Sequence, residues 1–113
     1  MQKLDAIDEG QDAFVSGAPV LLYFSGRYCS VCAALKPKLA SMVSQRFPEI
    51  QLFEITSEEH PQWASRFGVF SVPTVLVFFD GREYLREGRN MSLPYFAQQL
   101  ERIYRLWLGS ESK

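Results

Sequence analysis

Cysteine occurs at two positions in this 113-residue chain, Cys29 and Cys32, with only Ser30 and Val31 between them. Two thiols at that spacing can close a small disulfide ring if the first stands at the start of a helix. There, unpaired backbone N–H groups and the positive end of the helix dipole favour a thiolate. An unperturbed thiol titrates near ~8.5 and is mostly protonated at neutral pH, whereas Cys-X-X-Cys sites bring that value down to roughly 3.5–7.5 and make the first cysteine a usable nucleophile. The chemistry open to the pair is thiol–disulfide exchange, in which a thiolate attacks a disulfide and a second thiol releases the product. Zinc needs four ligands and His60 is the sole histidine, so no intrachain thiolate–imidazole metal site is expected. A cluster shared between two subunits needs thiols from elsewhere. No nucleotide-binding glycine loop is present, and no cofactor is expected.

Exchange at Cys29 requires a strand leading in and a helix leading out. Val20-Leu21-Leu22-Tyr23-Phe24 is a compact apolar run, and Ser25-Gly26-Arg27 turns the chain. Val31, Leu35, Leu39, Met42, Val43 and Phe47 then recur at three- and four-residue steps. This spacing predicts a helix from Ser30 to about Arg46 with one buried stripe. Pro37 lies inside it, removes the hydrogen bond to the Ala33 carbonyl and predicts a kink, and Pro48 stops the helix.

The other elements follow from the same rules. An N-terminal amphipathic segment (Leu4, Ile7, Phe14, Val15) predicts a helix over about Asp8 to Ser16, broken at Gly17-Ala18-Pro19. Ile50 to Thr56 reads as a strand, and a short helix with Trp63, Ala64 and Phe67 on one side follows His60-Pro61. Val75 to Phe79 is a nearly continuous apolar run, expected of a strand covered on both faces. Asp80-Gly81 signals a hairpin, so Arg82 to Glu87 should pair antiparallel as the last strand. Ser92 is a good N-cap for a long helix carrying Leu93, Phe96, Leu100, Ile103, Tyr104 and Trp107. Gly109 is expected to end that helix and leave residues 109–113 as a frayed tail. This order predicts an α/β fold, a mixed sheet with helices on both faces.

A chain of this length is expected to form a single domain, residues 1–113, with a core that needs no disulfide staples. Its net charge of −1 argues against nucleic acid as a partner. No apolar stretch approaches the ~20 residues of a membrane span. The first residues are acid-rich and lack an apolar stretch, so no signal peptide is expected and the reading is a cytoplasmic protein without membrane contact. In that compartment a lone cysteine pair points to catalysis or metal binding rather than a structural bridge.

The element order, with Cys-X-X-Cys at the first strand-to-helix junction, resembles the thioredoxin fold. Pro37 stands five residues after the second cysteine, as the family's proline does. Val72-Pro73-Thr74 matches the family's cis-proline segment, Asp80-Gly81 its hairpin, and Gly88 the glycine closing its last strand. The resemblance covers roughly Leu4 to Trp107. The departures are local. Tyr28-Cys29-Ser30-Val31-Cys32 replaces the Trp-Cys-Gly-Pro-Cys of a typical thioredoxin. The family's buried aspartate, six residues before the first cysteine, is here Tyr23, and its buried lysine partner is read as aligning with Leu52.

The resemblance implies that Cys29 is the exposed nucleophile and Cys32 the resolving thiol. It implies a cis Pro73 that leaves the Val72 backbone free to bind an extended substrate segment, with Tyr28, Val31, Val72 and Gly88 forming an apolar rim; Tyr28 reads equally as a packing aromatic. It also implies a monomeric thiol–disulfide oxidoreductase that reduces protein disulfides in cell redox homeostasis, itself recharged by a thioredoxin reductase. Arg27 adds positive charge near Cys29 or is an ordinary solvated arginine. Glu54 is the nearest surrogate for the missing aspartate. His60 and Glu58-Glu59 read as surface residues, and Trp63 and Trp107 as core. A second reading stays open: a redox-independent binding or chaperone-like module on the same fold, since the aspartate–lysine pair and the Trp and Gly-Pro of the motif are all replaced.

Overall fold

The computed structural model describes residues 1–3 and 17–111, and the helix expected over Asp8 to Ser16 lies outside them. The elements are β1 (Gln2–Lys3), β2 (Val20–Ser25), α1 (Ser30–Arg46), β3 (Gln51–Thr56), α2 (Pro61–Arg66), β4 (Thr74–Phe79), β5 (Arg82–Glu87) and α3 (Leu93–Glu111). They build a mixed sheet in the order β1-β3-β2-β4-β5. β3 runs parallel to β1 and β2, whereas β4 is antiparallel to both β2 and β5. β1 was not foreseen: two polar residues carry no periodic signal, and only pairing with Phe53 and Glu54 makes them a strand.

Alternation along the central strands sends side chains to two cores. On one face Leu21, Tyr23, Val75, Val77 and Phe79 pack against Leu39 and Val43 of α1 and Phe96 and Leu100 of α3. On the other, Val20, Leu22, Phe24, Phe53, Ile55, Leu76 and Phe78 pack against Trp63 of α2 and against Val69. Because β2 and β4 are covered on both faces, every residue in them is buried, which explains their nearly unbroken apolar runs. Each fully buried Leu, Val or Phe contributes about 1.5–3 kcal/mol of transfer free energy. Trp63 is fully enclosed, and Trp107 packs on Phe79 and Tyr104.

Three local features refine the expectations. α1 continues through Pro37 as one element; Ala33, whose carbonyl loses its helical donor there, is exposed to water. Asp80 and Gly81 both adopt positive φ (53° and 74°), the backbone of a tight two-residue hairpin that any residue other than Asn, Asp or Gly disfavours. α3 does not stop at Gly109 but runs to Glu111, so the expected tail at residues 109–113 is corrected: its first three residues are helical and the last two lie outside the description. A glycine inside a helix costs only about 1 kcal/mol, too little to end one without a left-handed cap conformation, which Gly109 does not adopt.

β5 is an edge strand whose side chains are mostly exposed. Arg86 donates to Glu83 at 2.8 and 2.9 Å and to the carbonyls of Phe67 (2.6 Å) and Gly68 (3.1 Å), joining the edge to the end of α2. No helix among the described residues is long and apolar enough to cross a membrane.

Candidate active site

β2 delivers the chain to Ser25 at the end of the sheet, and α1 begins five residues later. Cys29 is the N-cap of α1, in extended conformation, and its Sγ accepts the Cys32 N–H at 3.1 Å. Its carbonyl accepts the Ala33 N–H at 3.1 Å, the first bond of the helix. Cys29 and Cys32 are joined in a disulfide across a Cα separation of 5.2 Å. No acidic residue stands in the first turn, so nothing on the helix itself opposes the positive end of its dipole at the sulfurs. The two cysteines are unequally placed: Cys32 is 3% exposed and sits in the α1–α3 core, whereas Cys29 is only half-buried.

A groove of about 340 Å³ opens beside Cys29. Tyr28, Val31 and Val72 line it, and so do Glu58 and Arg89, which sequence reading did not assign to the site. Tyr28 is 98% exposed and so presents its ring to solvent. Val31 is likewise exposed and belongs to the groove rather than to the buried stripe of α1. The Val72–Pro73 peptide is cis, and Pro73 is buried. Gly88 lines a separate recess, shared with Phe70 and Ser71. Glu58 is not a free loop acid: the Arg27 N–H donates to its Oε2 at 2.9 Å and holds the carboxyl below its ordinary range. Arg27 itself is exposed and lies 3.9 Å from Glu59.

Behind the disulfide lies a second pocket of about 170 Å³, lined among others by Ser25, Cys29, Cys32, Lys36 and Glu54. Glu54 is buried on β3. Its Oε1 is 2.8 Å from Lys36 Nζ, and its Oε2 accepts the Ser25 hydroxyl at 3.1 Å. The Tyr23 hydroxyl donates to the Cys32 carbonyl at 2.6 Å. Burial, and next the charge of Glu54, push the Tyr23 phenol up from 10.0 to about 12. The residue across the sheet from Tyr23 is Glu54, while Leu52 stands opposite Leu21, so the assignment of Leu52 to the lysine position is corrected. The error is one of register. A two-residue slip keeps the same face and leaves no trace in the hydrophobic pattern. Lys36 escaped sequence reading because a lysine at an ordinary helical position carries no signal of its strand partner. Among the described residues, no group of three His, Cys, Asp or Glu side chains converges to hold a metal ion.

The family model described as Thioredoxin matches residues 6–98. The chain is 42% identical to the thioredoxin-like protein YdfQ of Bacillus subtilis over 88 residues, which cover 78% of each sequence. It is also similar to thioredoxin 1 of Synechococcus elongatus, at 29% identity over 64% of this chain and 67% of that one. The fold superposes on oxidised thioredoxin O2 of Arabidopsis thaliana with a TM-score of 0.78 over 91% of this chain and 93% of that one, at 18% identity. With the cysteine pair at the helix start and sequence kinship reaching across most of the chain, this is a member of the thioredoxin family and a thiol–disulfide oxidoreductase.

Proposed function

We propose that the chain reduces disulfides of protein substrates, with Cys29 as the attacking thiol and Cys32 as the resolving thiol. The observation that carries the assignment is the unequal exposure of the two sulfurs' residues at the start of α1. A substrate disulfide reaches Cys29 through the groove, while Cys32, one turn inside, reaches only what is already bound to Cys29. In the dithiol state the Cys29 thiolate is favoured by the helix dipole and by the Cys32 N–H that points at its sulfur. It attacks the substrate, one substrate sulfur leaves, and a mixed disulfide remains. Cys32 then attacks Cys29 Sγ, the second substrate thiol is released, and the Cys29–Cys32 disulfide forms.

Tyr28, Val31 and Val72, which line the groove, supply the apolar walls for the segment that flanks the substrate disulfide, and the Val72 backbone hydrogen-bonds that segment as a short added strand. Pro73 shapes that wall, and Gly88 contributes through the neighbouring recess. The role fits a monomeric cytoplasmic reductant in cell redox homeostasis, recharged by a thioredoxin reductase, because a reducing compartment keeps a functional dithiol open. The test is trapping. Cys32→Ser should retain protein substrates on Cys29 as mixed disulfides that dithiothreitol releases, and Cys29→Ser should retain none. Reduction of insulin by the wild-type protein with a thioredoxin reductase and NADPH should exceed that by dithiothreitol at equal thiol. Equal capture by Cys29→Ser would overturn the assignment of roles.

A further inference from the structure

Resolution requires Cys32 to lose a proton, yet the groove that serves Cys29 does not serve Cys32, which is enclosed in the core. The pocket behind the disulfide does reach it, and one buried carboxylate, that of Glu54, lines the same pocket. We propose that Glu54 accepts the proton of Cys32 through water held in this pocket, and that Lys36 is the positioning residue that holds the carboxylate there.

This inference rests on the exchange reading above and deepens it. A carboxylate buried on a strand is expensive unless paired, and here two polar partners on different elements hold it: Ser25 of β2 at 3.1 Å and Lys36 of α1 at 2.8 Å. Lys36 lies four residues beyond Cys32 on the helix, so thiol and ammonium stand one above the other on the same face. The pocket volume of about 170 Å³ is enough for several waters, each occupying roughly 30 Å³. Tyr23 on β2 stays neutral, pushed up to about 12, and its hydrogen is committed to the Cys32 carbonyl, so it does not serve as the base. Arg27 lines the pocket from the loop, and the backbone of Lys3 on β1 is in register with Glu54.

The step balances. The Cys32 thiol gives its proton to Glu54; its thiolate attacks Cys29 Sγ; the Cys29–substrate S–S bond breaks as the Cys29–Cys32 bond forms. The electron pair leaves with the substrate sulfur, which is reduced and takes a proton from solvent, and Glu54 returns its proton through the pocket. Both cysteines end oxidised.

The experiment is stopped-flow reduction of dithiobis(nitrobenzoate) by the fully reduced protein across pH 5 to 9. The first nitrothiobenzoate released reports attack by Cys29, and the second reports resolution by Cys32. In Glu54→Gln the first release should be unchanged and the second slowed by roughly a hundredfold or more, the scale of general-base assistance. In Lys36→Met the acid limb of the second release should move to higher pH, because a buried carboxylate that loses a neighbouring positive charge holds its proton longer. A structural role alone would not move that limb. The inference is overturned if Glu54→Gln keeps the wild-type rate and limb for the second release, or if Lys36→Met leaves the limb in place. Should Glu54→Gln fail to fold by circular dichroism, Lys36→Met decides alone. A wild-type protein that makes no second release refutes the dithiol reading itself, a result separate from a normal second release insensitive to both substitutions.

Discussion

Replacing Tyr23 by phenylalanine removes one oxygen from the centre of the molecule and nothing else. Tyr23 is fully buried, and its hydroxyl donates to the Cys32 carbonyl at 2.6 Å, joining β2 to the first turn of α1. At neutral pH the loss of this bond costs about 1 kcal/mol, the net worth of a buried neutral hydrogen bond. The same hydroxyl carries an alkaline liability. In the unfolded chain the phenol loses its proton near ~10, but in the folded protein it keeps it to about 12. Between those values the folded state holds the extra proton, so stability is complete below the lower value and falls as pH rises through the window. A rise from 10.0 to about 12 amounts to roughly 3 kcal/mol lost by the wild type across it. Phenylalanine loses nothing, and every other titrating group cancels in the comparison. Urea unfolding of the two oxidised proteins should therefore show the wild type about 1 kcal/mol ahead at pH 7, level near pH ~11, and behind above that. A stability gap that stays constant from pH 7 to 11.5, or no gap at neutral pH, would refute the role assigned to the hydroxyl.

Arg86→Ala should destabilise the protein by about 1–2 kcal/mol in urea titrations, since one guanidinium holds Glu83 and two carbonyls, discounted for its partial exposure. Glu83 is held below its ordinary carboxylate value by Arg86, so this contribution is present above the unfolded value and is lost as pH falls through the folded one; the gap between Arg86→Ala and wild type should close in acid. Gly26→Ala would place a Cβ 3.2 Å from Val72 and 3.4 Å from the Glu58 carboxylate at the groove, and should lower kcat/KM for insulin reduction by roughly tenfold while leaving the disulfide able to form. Gly81→Ala, forced to a φ of 74°, should lower the unfolding free energy by about 1–2 kcal/mol without changing activity.

Local chemistry in the sequence was sufficient for much of this protein. The strand before Cys29, the helix after it and the hairpin at Asp80-Gly81 are all recorded in residue types at short range, because thiol spacing, helical periodicity and turn conformation are local properties, whereas the cis Pro73 was expected only through the family resemblance. The tertiary structure decided what stands behind the disulfide. Which strand residue faces Tyr23 depends on a register that the apolar pattern leaves open by two residues, and the answer is Glu54 rather than Leu52. That Lys36 meets Glu54, that Glu58 and Arg89 border the groove, and that Gln2–Lys3 becomes a strand follow from contacts between residues distant in the chain. Such contacts carry no periodic signal, because an ion pair or an edge pairing needs only one residue on each side. Cys29 and Cys32 announce the reaction in the sequence; the packing of β3 against β2 and α1 places Glu54, the one buried carboxylate among the described residues, beside the pocket that the reaction can use.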